Sequence, residues 1–304
     1  MENIFLSERT SQEIDTFAQK ILQDLDWPEP PLDLDHVREV LELDRAYYSS
    51  TDQGVLSETI HKMKMAGKQV LRNPSRLLDV VKKRSLKALW LPERKRILLD
   101  SELPTSKQRW AEAHEVGHSV IPWHESMTHG DQKQTLSYTC HEALEAEANF
   151  AAGRLLFLGD RFRDELGTAD LTLKRIQSVG KGKFGNTITS SLWRAIESSD
   201  IPCVGMISKH PLKHAANAAA VRYFIRSPEF NERFSRVRGL DVYSQLPEIC
   251  KAYRGPLGEG TIAISDDNGL RHEFFFESFF NSYDVLTLGV HCRVMNSTTS
   301  VGVS

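Results

Sequence analysis

Cysteine is scarce in this chain of 304 residues: there are four, and no two of them have Cys-x-x-Cys spacing. The sequence therefore predicts neither a disulfide framework nor a zinc ribbon, and a reducing compartment suits it best. No window approaches about 18 consecutive apolar residues, and the first ten residues lack a basic segment followed by an apolar run. We therefore expect no membrane span and no secretory signal, and we predict a cytoplasmic protein.

Neither sign of charge dominates the chain, since 38 Lys and Arg stand against 41 Asp and Glu. This balance excludes a global attraction to nucleic acid or to an anionic membrane. The exception lies between Leu56 and Ile97, where twelve basic residues occur with three acidic ones. Within this stretch, residues 57–87 are interpreted by default as a helix with a solvated basic face. A patch that binds nucleic acid or an acidic protein is the alternative.

The apolar patterns mix helices and strands, so the predicted fold class is α+β. Helical periodicity marks residues 11–25 and 34–43, and short apolar runs at 88–91 and 96–99 predict two strands of a small sheet. Beyond residue 200 we predict a helix at 215–224. Strands are predicted at 202–207, 260–264, 272–277 and 283–291.

One short motif, Ala113-His-Glu-Val-Gly-His-Ser119, carries the chemistry. Because His114 and His118 are four positions apart, a helix places both imidazoles on one face, where both can bind one zinc ion. Glu115 then lies beside the metal, where it can act as a general base towards water. Two solvent-facing histidines on a surface helix are the alternative interpretation.

A catalytic zinc site needs a third protein ligand, and the helical stretch at 140–156 can supply one. Glu145 and Asn149 share a helix face, so one can bind the metal while the other forms a hydrogen bond with a ligand histidine. Glu147 lies off that face and Glu142 lies at its edge. Spacing alone therefore leaves the third ligand open.

Several side chains around these two stretches are candidates for lining a cleft and stabilising an oxyanion. The strongest are Tyr138 and His141, and His124 and His129 are further candidates. Ordinary loop residues without a role in chemistry are the alternative interpretation of all four.

The two motifs together resemble the ImmA/IrrE family of metallopeptidase-like proteins. The first is similar to the family's Ala-His-Glu-Leu-Gly-His helix. The second, Glu145-Ala-Glu-Ala-Asn-Phe-Ala-Ala-Gly-Arg-Leu-Leu156, is similar to its Glu-x-Glu-Ala-Asn-x-Phe-Ala-Ala-x-Leu-Leu helix. The resemblance covers about residues 88–156. Two departures, Phe150 one position early and a different helix exit after Leu156, concern packing and not the ligands.

This resemblance implies a gluzincin-like metallo-endopeptidase in which His114, His118 and Glu145 bind one Zn²⁺ per chain, with Mn²⁺ as the alternative metal. It also implies that Glu115 is the catalytic base and that Asn149 supports a ligand. The implied substrate is one particular protein, such as a transcriptional repressor or an antitoxin. The alternative is a non-catalytic regulatory protein that retains the fold and acts by binding protein or DNA.

Patterns and resemblance together predict four parts. The first is a mainly helical zinc-peptidase domain with a small sheet at 1–165, which contains an insertion at about 57–87. A helix-turn-helix-like segment follows at 166–200. The third part is a C-terminal α+β domain at 201–294 that senses a signal or selects a substrate, and the fourth is a disordered tail at 295–304.

Overall fold

Helices and strands are both abundant in the computed structural model, which describes residues 2–48, 88–91, 95–124, 138–167 and 171–295. The predicted α+β fold class is therefore confirmed. The chain divides into an N-terminal unit, Ile4–Gly159, and a C-terminal unit, Asp160–Ser304 together with Met1–Asn3. The predicted division into parts ending at residues 165 and 200 differs from this one, because the helices between 173 and 197 pack on the C-terminal sheet.

In its described residues, the N-terminal unit combines four helices with a sheet of three strands in the order β1-β3-β2. Strand β1 runs parallel to β3, and β2 runs antiparallel to it. The predicted strands at 88–91 and 96–99 are present, whereas β1 was not predicted. The elements are α1 (Glu8–Asp24), α2 (Leu34–Val40), β1 (Asp44–Tyr48), β2 (Ala88–Leu91), β3 (Arg96–Asp100), α3 (Thr105–Val120) and α4 (Tyr138–Leu156).

Helix α1 forms because its apolar residues recur at helical spacing and Ser7 caps its first turn by accepting a hydrogen bond from the Thr10 backbone. Its buried face includes Ile14, which packs in one apolar cluster with Ala151 of α4 and with Ile121, just after α3. This cluster holds the two motif helices against α1.

Helices α3 and α4 approach each other closely because small residues meet at their crossing. A Cβ atom added to Gly117 would lie 2.6 Å from the carbonyl oxygen of Ala148, so only glycine fits there. Ala113 and Ala148 are both fully buried. The close approach brings the histidine face of α3 next to the start of the second motif on α4.

A buried ion cluster fixes the other side of α3. Glu112 accepts a hydrogen bond of 2.7 Å from Arg38 of α2 and two of 3.1 Å from Arg45 of β1. A buried carboxylate needs such compensation, because removing it from water without partners is costly. The cluster therefore joins the motif helix to both α2 and the sheet.

The C-terminal unit is built on five antiparallel strands in the order β5-β4-β8-β7-β6. Helix α7 packs against β4 and β5, while an aromatic-rich core containing Phe230, Phe234, Phe274 and Phe276 fills the other face. The elements are α5 (Arg161–Leu166), α6 (Leu173–Gly182), α7 (Ile188–Glu197), β4 (Cys203–Ser208), β5 (Val221–Arg226), α8 (Pro228–Arg233), α9 (Gly239–Tyr243), α10 (Leu246–Ile249), β6 (Gly255–Ser265), β7 (Arg271–Phe280) and β8 (Val285–Val294).

The predicted helix at 215–224 is wrong. Residues 215–219 are exposed, and Val221–Arg226 form strand β5, with Phe224 opposite Met206 and buried in the core. The run of alanines has a high helix propensity. However, pairing with β4 and burial of Phe224 and Ile225 outweigh a local preference of a few tenths of a kcal/mol per residue.

Three predictions fall on residues outside the described ranges: the basic insertion at 57–87, the tail from residue 296 onwards and His129 in the cleft. Among the helices of the described part of the chain, none has the length and apolar character needed to cross a membrane.

Candidate metal centre

Three side chains on α3 and α4 converge so closely that they could hold a metal ion. The donor atoms of His114, His118 and Glu145 all lie within 4.8 Å of one another. The Nε2 atoms of the two histidines are 3.2 Å apart, and the Glu145 carboxylate lies 3.2 Å from one and 3.7 Å from the other. Two imidazole nitrogens and one carboxylate oxygen are ordinary metal donors.

Helix geometry explains why these groups meet. Residues four apart lie on the same helix face, so His114 and His118 project together from α3. The crossing at Gly117 and Ala148 then places Glu145, one turn before Ala148 on α4, opposite both rings. The convergence of the three groups therefore depends on how closely the two helices approach.

The electrostatics of the cluster are those of a carboxylate held by two imidazoles. Burial acts to raise the pKa of Glu145, but the hydrogen bonds from His114 and His118 outweigh it and hold that pKa well below its ordinary value. Burial acts to lower the pKa of His114, yet its contacts with Glu145 raise it overall. Burial also lowers the pKa of His118, and the charge of the neighbouring histidines adds to that effect.

Glu115 is the buried acid next to the first histidine, and it does not belong to the cluster of three. Only 7% of its surface is exposed, and burial raises its pKa to about 7, against the opposing effects of His114 and of a hydrogen bond with the Trp90 backbone. Strand β2 therefore adjoins this carboxyl group, which is poised to exchange a proton near neutral pH.

Asn149 lies behind the first histidine, on the same face of α4 as Glu145. Its Oδ1 is 3.0 Å from Nδ1 of His114. Because an amide oxygen only accepts, Nδ1 of His114 donates to Asn149, and Nε2 of His114 is turned towards the cluster.

A second line of contacts lies behind the other histidine. Nδ1 of His118 is 2.8 Å from Nδ1 of His124, and Nε2 of His124 is 2.8 Å from Oε2 of Glu147. Trp123 donates a hydrogen bond of 2.6 Å from Nε1 to the same oxygen. Only 1% of His124 is exposed, so the suggestion that it lines an open cleft is wrong.

Sequence reasoning missed the contact of Glu147 with His124, although the positions of both residues in the sequence gave a signal. Glu147 is two positions beyond Glu145, and His124 is six beyond His118. Both therefore lie close along the chain to members of the cluster. Tyr138 is the first residue of α4 and His141 follows in its first turn, but their side chains are outside the described part of the structure.

Neither a family model nor a curated protein matches the chain. A solved structure described as a "Mycobacterium tuberculosis transcriptional regulator" is similar over 98% of this chain and 95% of that one, with a TM-score of 0.52 and 12% sequence identity. At that identity the likeness concerns the fold alone. Fold and site together define an α+β protein with a candidate metal centre on two crossing helices.

Proposed function

We propose that this chain is a zinc-dependent endopeptidase, similar in its site to the ImmA/IrrE family, that cuts a protein substrate. The observation that carries the proposal is the convergence of His114, His118 and Glu145 beside a buried acid, Glu115, that is not one of the three. A purely structural metal site needs its ligands but no neighbouring base. The retained acid therefore favours catalysis.

The donor set favours zinc over manganese. Imidazole nitrogen suits Zn²⁺, whereas Mn²⁺ is better served by carboxylate, carbonyl and water oxygens. Two histidines and one glutamate also make a set of three protein ligands, which is the number that catalytic zinc sites use. When bound there, zinc supplies Lewis acidity, which polarises a peptide carbonyl and acidifies water.

The residues of the chain divide the remaining work. Glu115 accepts a proton from the attacking water on a carboxylate oxygen and returns it to the nitrogen of the leaving amine. In the metal-free site, burial raises the pKa of this carboxyl group to about 7, so it can both take up and release a proton near neutral pH. Asn149 holds His114 in the tautomer whose Nε2 is available as a ligand.

The substrate class rests on the resemblance of the two motifs to the ImmA/IrrE family. That resemblance favours a single protein target, a transcriptional repressor or an antitoxin, whose cleavage changes gene expression. The reaction proposed here is the same for either target, because both present a peptide bond to the same site.

The experiment that tests the proposal measures metal content and peptide cleavage on matched variants. By mass spectrometry of the purified protein, we expect about one zinc per chain in the wild type and in Glu115→Gln, and loss of zinc in His114→Ala and Glu145→Ala. New peptide N-termini should appear when the zinc-loaded wild type, but not Glu115→Gln, is incubated with an extract of the host cytosol. A wild type that takes up no zinc when it is supplied would overturn the proposal.

The second candidate is a regulatory protein that retains the fold and signals by binding protein or DNA. The solved structure with a similar fold is described as a transcriptional regulator, which is the observation in its favour. Helices α6 and α7 occupy the predicted helix-turn-helix-like segment. Helix α7 has buried residues at Ser191, Leu192 and Ala195, and none of its residues is fully exposed. It therefore offers no free face to a DNA groove. Helix α6, with Lys174 and Lys181 exposed, would have to make such a contact.

One variant separates the two candidates, because Glu115→Gln removes the base and spares the ligands. A regulator that acts by contact keeps its biological output in this variant, whereas a peptidase loses it. The matched control is Glu142→Gln, which removes a carboxylate from α4 that is not among the three candidate ligands.

A further inference from the structure

Two polar contacts behind His118 form a single line from the candidate metal centre to a carboxylate. His118 contacts His124 through their Nδ1 atoms, and His124 contacts Glu147 through Nε2, each at 2.8 Å. His124 is almost completely buried. The line therefore restrains the ring of His118 at the nitrogen that faces away from the cluster.

The line engages one ring nitrogen of His118. Because Nδ1 of His118 contacts His124, the other ring nitrogen, Nε2, is turned towards the cluster. This is the nitrogen that lies 3.2 Å from its counterpart in His114 and faces Glu145.

We propose that His124 and Glu147 are positioning residues that hold the ring of His118 with Nε2 turned towards the candidate metal centre. The inference rests on the metal centre of the proposed function and extends it to two residues that touch neither a substrate nor the reacting atoms. Glu147 acts on His118 through His124, as Asn149 acts directly on His114. Each candidate histidine ligand thus has its own support from α4.

The hydrogen bond between Trp123 and Glu147 is structural and does not reach His118. Its Nε1 donates to the same oxygen of Glu147 that His124 contacts, at 2.6 Å, so it anchors the carboxylate without entering the line to His118. Substitution of Trp123 by Phe therefore removes the anchor and keeps the line. It is the matched control for substitutions at Glu147.

The test reads the ring nitrogens directly, in the metal-free protein, by long-range ¹H–¹⁵N correlation spectra of histidine-labelled samples. In Glu147→Ala we expect the Nδ1 signal of His118 to change while the Nδ1 signal of His114 stays as in the wild type, and in Asn149→Ala the reverse. Because each variant changes the Nδ1 signal of one ring and spares that of the other, the unchanged ring reports that the two helices remain folded.

Metal affinity provides the second readout, measured with Zn²⁺ in competition with a chelating dye. Loss of the support should weaken zinc binding about 10–100-fold in Glu147→Ala. The conservative variant Glu147→Gln keeps an acceptor oxygen and should restore most of the affinity. Trp123→Phe should bind zinc about as tightly as the wild type.

Two results would overturn the inference: an Nδ1 signal of His118 that is unchanged in Glu147→Ala, or zinc binding by Glu147→Ala that is as tight as in the wild type. A wild type that binds no zinc, while Glu147→Ala shows the expected change at His118, would instead refute the proposed function and leave the positioning of His118 by His124 and Glu147 supported. The two proposals therefore fail separately.

Discussion

Substitution of Gly117 by Ala tests whether the close approach of α3 and α4 creates the candidate metal centre. The added Cβ would lie 2.6 Å from the Ala148 carbonyl oxygen, whereas ordinary contact begins near 3.4 Å, so the helices must move apart by up to about 0.8 Å. Overpacking of this kind costs about 1–3 kcal/mol. Replacing glycine by alanine inside a helix returns about 1 kcal/mol. The expected net loss in the free energy of unfolding is therefore about 0–2 kcal/mol.

Metal binding should suffer more than stability. Metal–ligand distances in a working site lie within about 0.2 Å of their ideal values, so a displacement of several tenths of an ångström between His118 and Glu145 is disabling. We expect zinc affinity to fall at least about tenfold, which corresponds to about 1.4 kcal/mol. Urea denaturation and chelator competition on the same samples give the two quantities.

The control is Gly182→Ala at the end of α6, where an added Cβ meets nothing within 4 Å. This variant should be unchanged or slightly more stable than the wild type, and it should bind zinc normally. If Gly117→Ala matched it in both measurements, the crossing would tolerate a methyl group and the account of how the site is formed would be refuted.

Further predictions concern the ion cluster, the thiols and one carboxylate. Glu112→Ala removes the buried carboxylate that the partly buried Arg38 and Arg45 share and leaves Asp35 as their partner, so it should cost up to about 3–5 kcal/mol in urea denaturation. Burial raises the pKa of Cys203 to about 11, so at pH 7.5 iodoacetamide should label the exposed Cys292 and spare Cys203 until the protein unfolds. Hydrogen bonds from Ser235 hold the pKa of Asp267 below its ordinary value, so Asp267→Ala should lose stability above about pH 4 and match the wild type in stronger acid.

Each of these predictions has a result that would contradict it. The loss from Glu112→Ala should exceed that from Glu13→Ala, which breaks an exposed pair with Arg9 worth under about 1 kcal/mol; equal losses would mean that the buried cluster is not stabilising. Modification of Cys203 at the rate of Cys292 would show that strand β4 is accessible. A stability difference for Asp267→Ala that persisted unchanged in strong acid would exclude the ionised carboxylate as its cause.

The sequence predicted the elements whose signals are local. Helix α1 follows from the spacing of its apolar residues, and the helical motif spacing placed His114 and His118 on one face. Strand β1 escaped prediction because its partner, β3, lies some fifty residues further along the chain. Strand β5 was mistaken for a helix for the same reason, because the alanine-rich sequence that precedes it does not predict its pairing with β4.

The candidate site divides in the same way. Glu145 and Asn149 could be proposed because they share a helix face with each other, and the resemblance to a family assigned them roles. The contact between His124 and Glu147 joins residues on separate segments, and the one sequence signal for it was that each lies near a candidate ligand along the chain. A buried histidine and an acid two positions from a candidate ligand became meaningful only when the three-dimensional structure joined them.

The position of Glu145, Glu147 and Asn149 on one helix has a thermodynamic consequence. Helix α4 provides one candidate ligand and the support for both others, so the centre exists only while α4 is docked on α3. An ion that binds the docked helices and not the separated ones must stabilise the docking by mass action. At a free concentration of a hundred times its Kd, this amounts to about 2.7 kcal/mol. The supply of metal would then set not only the activity of the N-terminal unit but also its lifetime against unfolding and proteolysis.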